Sequence, residues 1–197
     1  MRSWPPRGKE NITDEDGSRQ FGTDAGKIPE TGLHEGTDPE SVTKEVERLC
    51  IARAMKILEY SDRTEAQLRM KLKEKDFPES AIETAVEYVR SFHYIDDKRY
   101  ADSYVRSNMD RRSSREIREK LRERGVSREI IEDVFSEYEF PEKETIKKLF
   151  RKKYGNDDPA DQKTYEKAVR YFGQKGYSYQ DIRKALEEVI EESGDCP

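Results

Sequence analysis

The sequence predicts an all-α protein in which three tandem three-helix repeats stack into an elongated array, preceded by a disordered N-terminal tail. Two observations lead to this prediction. Apolar residues recur with the period of an α-helix over most of the chain, and one helix–turn–helix pattern occurs three times in succession. No stretch shows the convincing period of two that a half-buried strand would have, which argues against a sheet.

The tail is residues 1–41, which are rich in Gly, Pro, Thr, Asp and Glu and whose few large apolar residues are isolated. Such a segment buries too little apolar surface to offset its chain entropy, so we expect it to be disordered. A peptide that folds on a partner is the alternative. The first 47 residues hold 6 Lys/Arg and 11 Asp/Glu, so they account for the net charge of −5 and the rest of the chain is neutral.

The repeated pattern is a pair of helices joined by a tight turn, and every copy carries the same landmarks. A hydroxyl residue able to cap the first helix comes at Thr64, Ser113 and Thr164. A residue suited to end that helix in the left-handed region comes at Asp76, Gly125 and Gly176. An apolar residue follows at Phe77, Val126 and Tyr177. The second helix then opens at Pro78, Ser127 and Ser178.

Another helix is predicted before each pair, at about 44–60, 97–111 and 142–154. The three repeats are therefore expected at 42–96, 97–140 and 141–193. A single unit of three amphipathic helices cannot bury all of its own apolar stripes, so neighbouring units must stack in a linear array.

Several classes of site are disfavoured by composition. The chain is 32% hydrophobic and 41% charged, with no apolar run long enough for a membrane span and no signal peptide, so we expect a cytoplasmic protein that does not enter membranes. Its two cysteines lack C-x-x-C spacing, which argues against a zinc site; Cys50 is interpreted as a small buried hydrophobe. No Walker-type loop is present, and His93 has no nucleophile or acid spaced to work with it. We expect His93 to be packed in a turn, and the protein to have no catalytic site and no cofactor.

Positive charge is concentrated in two runs, which suggests a docking surface. Lys98 to Arg124 contains ten Lys/Arg and five Asp/Glu, and a second run begins at Lys143. The predicted contact residues are Arg111, Arg112, Arg115, Arg118, Arg122, Lys147, Lys148, Arg151 and Lys152. The alternative is a solvated helix surface with internal ion pairs, since Glu119 lies four residues after Arg115 and three before Arg122.

The motif Gly173-Gln174-Lys175-Gly176 has the GXXG spacing of the nucleic-acid-binding loop in KH domains. That module needs flanking strands, which this sequence does not predict. A helix C-cap is therefore the favoured interpretation of Gly176.

Three further observations belong together: the junction Phe92–Ala101 with its Asp96-Asp97 pair, the helix from Ser113 that ends at Gly125-Val126, and Ala52–Leu58 followed by the helix capped by Thr64. In combination these segments resemble the RecX family of regulators of the RecA recombinase. The resemblance covers about residues 48–190, while the acidic tail lies outside it.

The resemblance implies a non-enzymatic regulator that binds RecA, as a filament on single-stranded DNA, and usually damps its ATPase, strand-exchange and coprotease activities. This would place the chain in DNA recombination, DNA repair and the SOS response, acting as a monomer with at most weak direct contact to DNA. Two alternatives remain open. One is a direct nucleic-acid-binding protein that uses the basic faces of repeats 2 and 3, and the other is a general helical-repeat scaffold.

Overall fold

The computed structural model describes residues 38–155, 157 and 160–194. Within these ranges all regular secondary structure is α-helical, as predicted. The helices are α1 (Pro39–Tyr60), α2 (Glu65–Lys73), α3 (Glu79–Ser91), α4 (Asp97–Asn108), α5 (Ser114–Glu123), α6 (Arg128–Ser136), α7 (Glu142–Tyr154), α8 (Gln162–Gln174) and α9 (Tyr179–Gly194). We call α1–α3 repeat 1, α4–α6 repeat 2 and α7–α9 repeat 3. The predicted disordered tail lies outside the described residues as far as residue 37.

Two helix ends differ from the predicted ones, each because of a local hydrogen bond. α1 begins at Pro39, since the Asp38 carboxylate accepts the Glu40 amide and proline suits the first helical position; residues 39–41 are therefore helix and not tail. α4 ends at Asn108 instead of residue 111, because the Arg111 amide donates to the Asn108 carbonyl three residues back, at 2.9 Å, and so tightens the chain into a turn.

Each repeat encloses its own hydrophobic core, and matching positions of the pattern are buried in all three. The apolar stripes are thus buried within each repeat, which corrects the expectation that stacking of neighbouring units is needed to bury them. The first helix of every pair buries Leu68, Ile117 and Ala168, and one turn later Leu72, Leu121 and Phe172. The second helix buries Ile82, Ile131 and Ile182. Burying one such large aliphatic or aromatic side chain contributes about 1.5–3 kcal/mol, so this recurrent stripe is the main stabilising element of each repeat.

Two of the three predicted hydroxyl caps are confirmed and the third is wrong. Thr64 accepts the Gln67 amide at 3.2 Å, and Ser113 accepts the Glu116 amide at 3.1 Å. In repeat 3 the cap is Asp161, whose carboxylate accepts the amide of Thr164 at 3.0 Å. An ionised carboxylate three residues earlier is a strong cap that also interacts favourably with the helix dipole, so Thr164 lies inside the first turn and is buried.

The predicted left-handed residues end their helices as expected. Gly125 and Gly176 have φ values of 81° and 88°, and Asp76 has 60°. A fourth left-handed residue, His93, ends the turn after α3 with φ of 55°. Its side chain is exposed, so the expectation that it is packed is wrong. The backbone is held instead by the Tyr94 amide, which donates to the Val89 carbonyl at 2.9 Å.

Candidate interaction surface

Neighbouring repeats are joined by the same hydroxyl groups that cap their helices. The Thr64 hydroxyl donates to the Arg124 carbonyl at 2.5 Å, which links the start of α2 to the end of α5. The Ser113 hydroxyl donates to the Lys175 carbonyl at 2.6 Å, which links the start of α5 to the end of α8. Each hydroxyl thus satisfies an unpaired amide of its own helix and a terminal carbonyl of the next repeat.

A carboxylate and a glycine complete each junction. The Glu65 amide donates to Asp97 at 2.9 Å, and the Ser114 amide donates to Glu142 at 2.8 Å. Gly125 lies so close to α2 that a Cβ there would be 2.2 Å from the Cβ of Ala66. These contacts fix where the helix starts of one repeat lie against the next repeat, and they position the basic residues on α5.

Three of the predicted arginines in the first basic run form ion pairs within the protein. Arg112 contacts Glu116 at 2.8 Å, and Arg122 contacts Glu119 at 3.3 Å. Arg118 reaches α6, where its guanidinium lies 3.3 Å from Glu132 and 4.2 Å from the centre of the Phe135 ring. Exposed pairs contribute little to stability, but Arg118 also covers a buried aromatic residue and so has a packing role.

Arg115 is the exception on α5. Its side chain is exposed, and it forms no ion pair within the part of the chain that the structure describes. It lies at the junction with repeat 3, where a Cβ on Gly176 would be 3.3 Å from its Cβ. Arg111, after α4, is also exposed and donates to the Ser107 carbonyl at 3.2 Å.

The second basic run is divided between two environments. Lys147 is only 7% exposed, and its ammonium lies 2.9 Å from both Glu188 and Glu192 of α9. Hydrogen bonds to Glu192 and Glu188 raise the pKa of Lys147 above its ordinary range. The hydrogen bond to Lys147 lowers the pKa of Glu192, and hydrogen bonds to Lys143 and to Lys147 lower the pKa of Glu188. Lys147 is therefore not part of an exposed cationic surface, which corrects the prediction for this residue.

The other predicted residues of α7 lie on its outer side. Arg151 also contacts Glu192, but its side chain is more than half exposed. Lys148 and Lys152 are exposed, and neither forms an ion pair with any described residue. Of the nine predicted residues, Arg111, Arg115, Lys148 and Lys152 are therefore the ones that are exposed and form no ion pair with a described carboxylate.

Two lysines outside the predicted set lie around one aromatic ring. The ammonium of Lys153 is 4.2 Å from the centre of the Tyr171 ring, and that of Lys175 is 5.5 Å from it. Lys175 follows α8 directly in its C-terminal cap. The sequence placed Lys175 in the motif Gly173–Gly176, but it did not predict Lys175 as a contact residue, because that set was drawn from the two basic runs.

Other kinds of site find no support in the described residues. The histidine, cysteine and carboxylates among these residues form no group of three or more that could hold a metal ion. Burial raises the pKa of the Cys50 thiol to about 11, which keeps it protonated and unreactive. None of the described helices is long and apolar enough to span a bilayer.

Comparison with known proteins gives the same three units. Models of the first, second and third three-helix domains of RecX match residues 50–88, 96–134 and 142–186, in that order. The chain belongs to the RecX family. RecX-family relatives include the regulatory protein RecX of Clostridium botulinum, which is 33% identical over 145 residues, with 72% of this chain and 68% of the relative covered. The RecX of Vibrio vulnificus is 33% identical over 138 residues, covering 70% and 90%.

Solved RecX structures share the fold. A crystal structure described as regulatory protein RecX matches with a TM-score of 0.65 and 29% identity, covering 81% of this chain and 83% of that one. RecX from Lactobacillus salivarius matches with a TM-score of 0.62, covering 75% and 98%; at 24% identity it supports the fold alone. Together with the named relatives, these matches support a regulatory role for this RecX-family chain.

Proposed function

We propose that this RecX-family protein binds the RecA recombinase, as a filament on single-stranded DNA, and lowers its ATPase, strand-exchange and coprotease activities. It acts by binding alone, as a monomer and without a cofactor. The observation that supports this proposal is a RecX-type array that leaves several cations exposed and without an ion pair to any described residue, Arg115, Lys148 and Lys152 among them.

These cations suit a partner that carries DNA. A filament on DNA presents phosphate charges, and cations that approach phosphates release condensed counterions, which favours binding. Cations already neutralised inside the protein, such as Lys147, would first have to break their ion pairs. Arg115 is also held by a helix whose start is hydrogen-bonded to the next repeat, so little order is lost on binding.

The test variant combines Arg115→Ala, Lys148→Ala and Lys152→Ala. All three side chains are exposed on helices where alanine is favourable, so the unfolding transition should be unchanged. Binding to RecA filaments assembled with single-stranded DNA and a non-hydrolysable nucleotide should weaken at least tenfold, which is about 1.4 kcal/mol. The loss should shrink as salt rises, because screening already weakens these charges in the wild type. Arg118 is kept, because its removal would uncover Phe135.

The matched control combines Lys56→Ala, Arg128→Ala and Lys184→Ala, three exposed residues on α1, α6 and α9. It makes the same change in net charge and should bind filaments like the wild type. Full inhibition of RecA by the test variant would move the docking surface elsewhere. If the test variant loses equal affinity for naked DNA and for filaments, the protein is a direct nucleic-acid-binding protein. If the wild type binds neither DNA nor filaments, it is a scaffold.

A further inference from the structure

A groove of about 470 Å³ lies at the junction of repeats 2 and 3. Its α5 side is formed by Arg115 and Lys120 with two glutamates, and its other side by residues 173–176 at the end of α8. Both glutamates are already paired with arginines outside the lining: Glu116 with Arg112 at 2.8 Å, and Glu119 with Arg122 at 3.3 Å. Lys120 is likewise paired outside the lining, with Glu123 at 2.7 Å. The positive charge of the groove therefore comes from Arg115 and Lys175.

Gly173 has no structural explanation of its own. It lies in the last turn of α8 with an ordinary helical backbone, and a Cβ at this position would meet no atom within 4 Å. Glycine inside a helix is destabilising relative to alanine. Gly176, by contrast, is required by its φ of 88°. What Gly173 does provide is bare backbone that a ligand can approach closely along the rim of the groove.

The cations beside this bare backbone are not neutralised. Lys175 lines the groove and Lys153 lies next to it around the ring of Tyr171. Neither lysine forms an ion pair with any residue in the described ranges, and the same holds for Arg115. Tyr171 is only half-buried, so its ring is partly accessible beside Lys153 and Lys175.

We propose that Arg115, Lys153, Tyr171, Gly173 and Lys175 form a binding track for the sugar–phosphate backbone of single-stranded DNA. The cations contact successive phosphates, and the strand passes over the bare backbone of Gly173. Cations combined with an accessible aromatic ring are the pattern by which proteins hold single strands without reading their sequence. As the DNA contact of the regulator, the track rests on the proposed function, but it is tested without RecA.

The test measures the anisotropy of a fluorescent thirty-nucleotide oligo-dT with the full-length chain. Lys153→Ala with Lys175→Ala should raise the Kd at least fivefold. Each phosphate contact on a single strand contributes about 0.7 to the slope of log K against log salt, so losing two contacts should reduce that slope by about 1.4. An unchanged salt slope would overturn the track.

Gly173→Ala provides a second, independent test. Since the added methyl meets nothing in the free protein, the melting temperature should stay the same or rise. Affinity for the oligonucleotide should nevertheless fall, and it should fall further for Gly173→Glu, which adds a negative charge. Unchanged affinity for both variants would contradict the proposal.

The control is Lys56→Ala with Lys184→Ala, which removes the same charge from helices that do not border the groove. An equal loss of affinity in this control would show a general charge effect and overturn the track. Wild type that binds RecA filaments but not oligo-dT would also overturn the track while the proposed function stands. If oligo-dT binding depends on the track residues but the protein does not bind filaments, the track is supported and the proposed function is refuted.

Discussion

The two junctions between repeats share their pattern of hydrogen bonds and differ most in the side chain that meets the glycine. In both, a cap hydroxyl donates to the last carbonyl before a left-handed glycine, and a carboxylate from the following repeat accepts the next amide. At the first junction the glycine meets Ala66; at the second it meets Arg115, which occupies the matching position of the pattern.

This difference shows which residues the contact between repeats requires and which position can vary. The cap hydroxyl and the glycine are needed at both junctions, since they satisfy terminal backbone groups and permit close approach. The residue two positions after the hydroxyl is exposed in both, so its identity can change without loss of the shared hydrogen bonds. An alanine there gives close packing on Gly125, whereas an arginine there borders a groove with a positive balance.

The largest expected effect distinguishes the two glycines. Gly125→Ala should destabilise the protein by about 2–5 kcal/mol, because it adds left-handed strain of about 1–2 kcal/mol and an overpacking cost of about 1–3 kcal/mol against Ala66. Gly176→Ala should cost only about 1–2 kcal/mol, since its nearest neighbour is the Ser113 hydroxyl at 3.0 Å. Urea denaturation of both variants measures the difference; equal losses would mean that the first junction is not more tightly packed.

The shared hydroxyls should have matching, intermediate effects. Thr64→Ala and Ser113→Ala each remove a helix cap and a hydrogen bond between repeats, so each should cost about 1–2 kcal/mol. In repeat 3 the helix cap is Asp161, so Asp161→Ala should lower the free energy of unfolding by about 1 kcal/mol. Thermal unfolding compares the variants. A negligible loss in Ser113→Ala alone would show that the second junction does not depend on its hydroxyl.

The smallest expected effect concerns the carboxylate of the first junction. Burial raises the pKa of Asp97 above its ordinary value of 3.8, although the hydrogen bond from the Glu65 amide opposes this. The folded state therefore binds a proton at the Asp97 carboxyl more tightly than the unfolded state does. Protonation of Asp97 stabilises the fold fully below pH 3.8, and this contribution is lost as the pH rises through the folded pKa.

Asp97→Asn keeps an acceptor oxygen and removes this titration. At pH 7 the variant should be equal to the wild type or slightly more stable, within about 1 kcal/mol. Its relative stability should decline as the pH is lowered towards 3. Urea denaturation at several pH values measures the trend, and a wild type whose advantage grows with rising pH would contradict it.

Local signals in the sequence determined the helices, the turns and the repeat. The apolar period, the hydroxyls at Thr64 and Ser113 and the glycines at 125 and 176 act over a few residues, so they can be read without a fold. The cap predicted at Thr164 is wrong, because Asp161, three residues earlier, is the stronger capping residue.

Only the tertiary structure decided which cations are available for a partner. Lys147 and Lys148 are neighbours in one basic run, yet the first is enclosed by carboxylates of α9 and the second is exposed. Arg118 and Arg115 share one helix, yet the first covers Phe135 on α6 and the second borders the next repeat. Charge composition cannot separate them, because the groups that neutralise or bury a cation come from helices distant in the sequence, and Coulomb interactions depend on distance in space.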